Sequence, residues 1–587
     1  MALSLYYREM MEINSLKSDE EKAEASEKFF EKIKKASLPT HANWVLDCLE
    51  EIHGKERPDQ EALIWANLDK GDERRYTYRE LIEEGNRLLN FLRKRGLAKG
   101  EVVYLITPGF PEVWFTMVAT IKGGMILVPT AVSMTADELA YRFSTYRPAA
   151  IVGSIGTASV IDEALNRTGI KPKVKIAVGS VAGWTPYEEV NGEAPLAEAA
   201  NTVVSDIIIC FFTSGTMGLP KRVVHSAVSY PLGHLSTVNL IGLKPGDMHL
   251  NLSQPGWAKY AWSSFFAPLM VGATTVIFHY ERLQPEVYLE GVAKYKINTF
   301  CAPPTAWRSF ILTDLSKFDF SALRESMSAG EPLNPEIIHT WKKFTGNEIR
   351  DFYGQTETTA MIGNPPWQKG RIVPGSFGQP HFLYDVVLLD DEGREITKPK
   401  EVGHIAIRLS HWRPSGLFLE YLGDKEKMAE SFRGPYYYTG DRAYRDRDGY
   451  WWFEGRADDV IKSSDYRIGP FEVESALLEH PAVAEAAVVG SPDAKRWQLV
   501  KAFVVLAPGF VPSRELALEI FSHCKKVLAK YKIPRILEFV SELPKTASGK
   551  IRRLELKERE IKTKGKGERG VYEFFYHEFT ELNSSRL

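Results

Sequence analysis

Ile207-Ile208-Ile209-Cys210-Phe211-Phe212-Thr213-Ser214-Gly215-Thr216-Met217-Gly218-Leu219-Pro220-Lys221 decides how this chain folds. The stretch opens with an unbroken apolar run. A short run of that kind, closed by a turn signal, reads as a strand buried on both faces. Glycines, small hydroxyl residues and a lysine follow. Glycine lets backbone N–H groups turn toward an anion, and hydroxyls and lysine add donors. That is phosphate chemistry in principle. The Walker pattern GxxxxGKS/T does not fit. On composition alone the loop reads equally well as a plain turn.

Outward from this stretch, similar apolar runs occur at Glu101–Ile106, Ala149–Val152, Thr274–Phe278 and Ile297–Cys301. Amphipathic stretches lie between them, such as Glu84–Arg95, which Gly96 ends. Strands alternating with helices predict an α/β fold with a mainly parallel sheet. From Leu383 to Arg408 strands follow without long helices, which predicts a smaller β-rich subdomain. Farther on, Pro470 can open a helix running to about His480. Lys501–Leu506 reads as a strand and Leu516–Lys530 as an amphipathic helix, a small α+β unit. The expected fold class is therefore α/β: a large N-terminal domain of several subdomains with parallel-type sheets, plus a small α+β C-terminal domain. The expected divisions are a charged helical extension (1–44), the large domain (45–457), the small domain (458–560) and a tail (561–587). Glu and Lys mix through Ser18–Lys35, so the extension is expected as a solvated helix. Beyond Lys562 the Gly- and Lys-rich run reads as a flexible tail or linker. Whether the aromatic stretch Tyr572–Phe579 docks on the body is left open.

The chain has 587 residues, too long for one compact core. Its formal net charge of -2 offers no general footprint for nucleic acid. No apolar run reaches the roughly 18 residues of a membrane span. The acidic opening segment has no secretory apolar core, so the cytoplasm is the expected compartment. Cys48, Cys210, Cys301 and Cys524 are far apart, with no CxxC pair, which predicts free buried thiols rather than a zinc site or disulfides.

Four further motifs could carry chemistry. In Tyr353-Gly354-Gln355-Thr356-Glu357, a carboxylate beside a hydroxyl suits a magnesium-bound nucleotide, although a polar helix-capping turn would look alike. In Tyr438-Thr439-Gly440-Asp441, the aspartate could accept from two ribose hydroxyls or form an Asx-turn. Gly455-Arg456-Ala457-Asp458-Asp459, followed by Tyr466-Arg467-Ile468-Gly469-Pro470, lies at the expected domain junction. Pro544-Lys545-Thr546-Ala547-Ser548-Gly549-Lys550 ends on a lysine that could reach a distant anion.

In order and spacing these blocks resemble the adenylate-forming superfamily of acyl-CoA synthetases, adenylation domains and firefly luciferase. Ala302–Ala306 and Gly330–Glu336 join the match, which runs from about residue 45 to 560. Gly256-Trp257-Ala258-Lys259, Arg413–Gly416 and the run Ser464–Val483 are most similar to medium-chain acyl-CoA synthetases.

The resemblance implies two half-reactions. A carboxylate first attacks the α-phosphate of ATP. Coenzyme A then takes the acyl group after the small domain turns. It implies that Thr213, Ser214, Gly215, Thr216, Met217, Gly218 and Lys221 cover the β- and γ-phosphates. Thr356 would contact the α-phosphate, and Glu357 would hold magnesium. Asp351, Phe352, Tyr353, Gly354 and Gln355 would line the adenine, with Gly330 and Glu331 among the nucleotide contacts. Asp441 and Arg456 would hold the ribose. Lys550 would bridge phosphate and carboxylate, Arg467 would approach the phosphates, and Asp458 would be the hinge. Ser464, Asp465 and Tyr466 would guide the pantetheine arm, and Arg496 and Lys525 could meet coenzyme A phosphates. Trp257, Ala258, Ala329, Gly330, Ile362 and Gly363 would form the acyl pocket. That wall suits a short- to medium-chain acid, whether branched, aromatic or, if a polar group lines it, hydroxylated. A homodimer is left open.

The chain departs from the family pattern in places. Met217 removes a hydroxyl from the phosphate loop, which predicts weaker ATP binding rather than loss. Asp465 replaces a glycine that leaves room for the thiol channel. Lys495-Arg496-Trp497-Gln498 lacks the Gly-Glu usual after the arginine, and Gln254-Pro255 replaces a common acidic residue. An adenylation domain loading a carrier protein, a non-catalytic nucleotide-binding homologue and a luciferase-like oxygenase are the alternatives weighed.

Overall fold

The computed structural model describes residues 3–213, 220–330, 333–368, 372–463, 466–493, 495–545 and 551–582. The chain divides into two compact units, Met1–Val386 with Ile407–Tyr437, and Val387–Ala406 with Tyr438–Leu587.

The first unit holds two large sheets. One has eight strands, centred on Ile207–Thr213, Ile126–Pro129, Val102–Leu105 and Ala150–Ser154, which run parallel. Lys221–Ser226 folds back antiparallel on Ile207–Thr213, and Glu420–Tyr421 pairs with Lys221–Ser226. The other has nine strands. Ile349–Gln355, Glu325–Ala329, Thr299–Ala302, Met248–Asn251, Thr274–His279 and Glu61–Asn67 are parallel neighbours in that order. Thr359–Gly363 returns antiparallel beside Ile349–Gln355. The apolar runs read as strands in the sequence are these buried central strands.

Helix Tyr78–Lys94 starts six residues before the amphipathic stretch read from the sequence, because Thr77 and Glu80 form a capping box there. Helix Ser229–Ile241 is buried on every side. It packs against strand Thr359–Gly363, where the Ser236 hydroxyl donates to the Ala360 carbonyl at 2.6 Å.

The N-terminal extension is helical but not solvated as expected. Helices Leu3–Ser15 and Asp19–Lys34 bury Tyr6, Tyr7, Met10, Phe29, Phe30 and Ile33. The mixed charges occupy only their outer face; apolar residues at helical spacing form the inner one. Asn14 Nδ2 donates to the carbonyls of Val238 and Leu243, at 3.2 and 2.8 Å. Asn239 donates to Asn14 and Ser26, and Phe30 meets the His381 ring edge-on at 4.5 Å. The extension therefore clamps the C-terminal end of the central helix.

The second unit is α+β. Its sheet contains Val483–Asp493, Trp497–Leu506, Ile536–Phe539, Ile461–Ser463 and Tyr466–Ile468, with helices Pro470–Leu478 and Arg514–Val527 packed around a shared apolar core. The segment beyond Lys562 is not the flexible tail expected. Glu573–Phe575 adds a strand to this sheet, and Phe579 and Leu582 are buried in its core. A buried charge cluster holds it: the Lys501 ammonium meets Glu538, Glu560 and Glu573 at 2.7, 2.5 and 2.6 Å. Lys501 projects from the neighbouring strand, so its pairing with Glu573 could not be seen in local composition.

Replacing Phe30 with alanine should cost about 3 kcal/mol. The expected sign is a lower urea midpoint for the first unfolding transition. An unchanged midpoint would mean that the extension does not support the first unit.

Candidate functional site

Thr213 and Lys221 end two antiparallel strands and are cross-strand partners, so the loop between them is held at both ends. Ser214, Gly215, Thr216, Met217 and Gly218 of that loop lie outside the described residues, as do Glu331, Ser464, Asp465 and Lys550. For Arg467 only the backbone, in strand Tyr466–Ile468, is described. The Thr213 Oγ1 atom is buried without a hydrogen-bond partner among the described residues.

The structure brings Lys221 to Glu357. The Lys221 ammonium lies 3.6 Å from Glu357 Oε1 and 4.6 Å above the Tyr421 ring. The Tyr421 hydroxyl donates to the same Oε1 at 2.9 Å. Burial, then the Glu357 charge, raises the Tyr421 hydroxyl far above its ordinary range and keeps it a donor. Sequence reading missed Tyr421 because its strand is only Glu420–Tyr421.

Tyr353–Glu357 does not cap a helix. It ends a strand and turns into Thr359–Gly363. The turn is tight: a Cβ on Gly354 would lie 2.0 Å from the Thr359 carbonyl oxygen, so glycine is required. Thr359 sits at φ +81°, in the left-handed region that a β-branched residue avoids. Its hydroxyl donates to the Gly233 carbonyl at 2.9 Å, and Tyr384 donates to the Thr358 carbonyl at 2.5 Å. The Gln355 side chain accepts from the Tyr437 hydroxyl at 3.2 Å. Thr356 contributes its carbonyl to His225, whose Nε2–H donates at 2.7 Å. Burial lowers the His225 imidazole to about 4, so it is neutral at physiological pH. His225 was also missed. Lys221, Val223 and His225 share one face of a strand, and that alternation was the available signal.

Asp351 is buried at 7 % exposure. Burial pushes its carboxyl up to about 8, opposed by backbone N–H groups of Leu333 and Phe352 and by Lys259. Lys259 donates to the Ala329 carbonyl at 3.2 Å. Phe352 is buried and Tyr353 packs on Phe377 at 5.4 Å. Gly330 follows its strand at φ +106° in open space. Trp257 and Gly256 line a narrow apolar space of about 10 Å³ with Leu105, Val113, Met117 and Tyr260. Ala258 opens the next helix. Ala329, Ile362 and Gly363 are buried but do not line that space, and a Cβ on Gly363 would meet Leu240 at 3.0 Å.

In the second unit, Asp441 and Arg456 are cross-strand partners, and Arg456 Nε lies 3.3 Å from Asp441 Oδ1. The Asp458 carbonyl accepts from Lys557 at 2.8 Å. Tyr466 stacks on Tyr531 with centroids 4.4 Å apart. Arg496 is exposed, and its backbone N–H donates to Asp493 at 2.7 Å. Lys525 is engaged by the tail, donating to the Leu582 carbonyl at 2.7 Å. Trp497 pairs with Ser463 and Asp493, is 80 % exposed, and sits at φ +68°. The departure from glycine noted in the sequence therefore falls on a residue whose backbone favours glycine.

The AMP-binding enzyme profile matches residues 51–421, and that of the AMP-binding enzyme C-terminal domain matches residues 472–550. The chain is 56% identical over 535 residues to 4-hydroxybutyrate--CoA ligase 1 of Metallosphaera sedula, covering 91% of this chain and 93% of that one. It is 40% identical to the mitochondrial acyl-coenzyme A synthetase ACSM3 of Homo sapiens, over 90% of this chain and 91% of that one. Among solved structures, the anthranilate CoA ligase AuaEII in complex with anthranoyl-AMP superposes with a TM-score of 0.82 at 32% identity, covering 90% of this chain and 99% of that one. No described helix is long and apolar enough to cross a membrane.

Replacing Trp497 with glycine should relieve about 1 kcal/mol of backbone strain, offset in part by the greater freedom of glycine in the unfolded chain. A higher melting temperature for the second unit is expected. A clear drop would show that the indole contributes packing that outweighs the strain.

Proposed function

The chain belongs to the AMP-binding enzyme family, and from that premise we propose that it is an AMP-forming acyl-CoA synthetase acting on a short carboxylic acid that carries a hydroxyl group. The observation that carries the reaction type is the meeting of Lys221, Glu357 and Tyr421 at the base of a glycine-rich loop. The relative acting on 4-hydroxybutyrate, identical at 56% of aligned positions, supports the acid class.

In this reading the substrate carboxylate attacks the α-phosphate of ATP and pyrophosphate leaves. The coenzyme A thiolate then attacks the acyl carbon, and AMP leaves. Thr213–Lys221 cradles the β- and γ-phosphates, and Thr356 meets the α-phosphate. Asp351–Gln355, with Gly330 and Glu331, form the adenine side, and Asp441 and Arg456 hold the ribose. Lys550 offsets the repulsion between carboxylate and phosphate as they approach, with Arg467 nearby. Glu357 fits a magnesium site: one buried carboxylate, with other positions left to phosphate oxygens and water. Magnesium, when bound, would offset charge on the departing pyrophosphate. Asp458 is the proposed hinge between residues 45–457 and 458–560, and any turn there must alter the Lys557 bond. Ser464–Tyr466 and Arg496 form the proposed coenzyme A side. Lys525 would join them only by releasing Leu582.

The test is production of AMP and acyl-CoA from ATP, coenzyme A and a panel of acids from acetate to octanoate, with branched, hydroxy and aromatic members. Coenzyme-A-dependent turnover that is highest with a short hydroxy acid is expected. The Lys550→Ala variant should lose about three orders of magnitude of adenylation, a typical scale for one electrostatic group at a transition state. Pyrophosphate release without thioester would instead favour another acyl acceptor and point to Asp465 as the obstacle.

A further inference from the structure

Three buried polar side chains face one another beside the Thr356 turn, and none of the three polar atoms has a hydrogen-bond partner: the Tyr230 hydroxyl, His234 Nε2 and Trp262 Nε1. Tyr230 and His234 are fully buried and Trp262 is 5% exposed. Tyr230 and His234 belong to the central helix Ser229–Ile241. Trp262 belongs to the helical stretch that begins after Trp257.

Contacts connect this trio to the candidate reaction centre. His225, which donates to the Thr356 carbonyl, has its ring 4.3 Å from Tyr230. The His234 ring is 4.4 Å from Tyr230 and 6.1 Å from Trp262. The Trp262 indole lies toward the Tyr230 hydroxyl, but no hydrogen bond closes between them. His234 Nδ1 is occupied by the Thr237 hydroxyl at 3.2 Å, which leaves Nε2 for another partner. Phe266 closes one side, stacked on His234 at 5.2 Å.

Each buried polar atom left without a partner costs about 1–3 kcal/mol. Such groups in a native protein are satisfied by water or by a ligand. The trio offers an indole N–H donor, a phenol that donates or accepts, and a neutral imidazole nitrogen. A single aliphatic hydroxyl, which both donates and accepts, matches that set. A methyl group would leave all three unsatisfied.

We propose that Tyr230, His234 and Trp262 form the wall of the acyl pocket that hydrogen-bonds a hydroxyl group borne on the acyl chain. This rests on the acyl-CoA synthetase reading and names the residues that would select a hydroxy acid over its unsubstituted counterpart. A site built to hydrogen-bond a substrate hydroxyl discriminates strongly against the analogue lacking it.

The experiment compares kcat/KM for 4-hydroxybutyrate and butyrate in the full-length wild type, in Tyr230→Phe and in Trp262→Phe. The wild type should prefer the hydroxy acid. Each variant should lower the ratio of the two kcat/KM values at least tenfold, about the 1.4 kcal/mol worth of one hydrogen bond. Should one variant fail to fold, the other still decides. A wild type that prefers butyrate, or a ratio unmoved in the folded variants, would overturn the inference and assign the trio to internal water, while leaving the synthetase reading intact. A wild type that forms AMP from no acid of the panel would overturn both.

Discussion

A carboxylate inside a protein is tolerated only when paired, because leaving water costs several kcal/mol. Glu357 meets that requirement through Lys221 and Tyr421. Both partners come from the antiparallel edge of the eight-stranded sheet, whereas Glu357 comes from the hairpin at the edge of the nine-stranded sheet. One acidic side chain therefore pins two sheets of the first unit at the place where the glycine-rich loop begins. Glycine at 354 and the strained turn at Thr359 follow from it, since the chain must reverse closely enough to present Glu357 to its partners. Strain held by Tyr384 and Gly233 in such a turn keeps Thr356 and Glu357 in one arrangement.

The same logic of buried polar groups runs through the rest of the molecule. Asn14, Asn239 and Ser26 satisfy one another where the N-terminal helices cover the central helix. Lys501 gathers three glutamates where the C-terminal strand joins its sheet. Both ends of the chain are thus tied by specific polar contacts as well as by apolar surface. Tyr230, His234 and Trp262 differ: they are equally buried, yet their polar atoms await a partner.

The α/β class, the buried strands and the α+β character of the second unit were legible because short apolar runs and helical periodicity are local signals. Phosphate-type chemistry at Thr213–Lys221 was legible from glycine, hydroxyl and lysine together. What escaped was non-local. The charged run Ser18–Lys35 hid an apolar face whose partner lies more than two hundred residues away. The Gly- and Lys-rich stretch after Lys562 suggested flexibility, but the strand that captures it is set by Lys501. Tyr421 sits in a strand too short to announce itself. His225 could have been found, since it shares a strand face with Lys221. The turn after Gly354 was read as a helix cap because Thr and Glu serve both purposes; only the pairing of Thr359–Gly363 decides between them.

The most direct test of the central claim is the binding of ATP, measured calorimetrically with and without magnesium, in the wild type and in Glu357→Gln. The wild type should bind ATP more tightly when magnesium is present. The variant keeps the shape of the side chain but removes its charge, so it should lose most of that gain, about tenfold or more by analogy with disturbed metal sites. An undiminished magnesium response in a folded variant would contradict the assignment of Glu357, and with it the placement of the triphosphate beside Lys221.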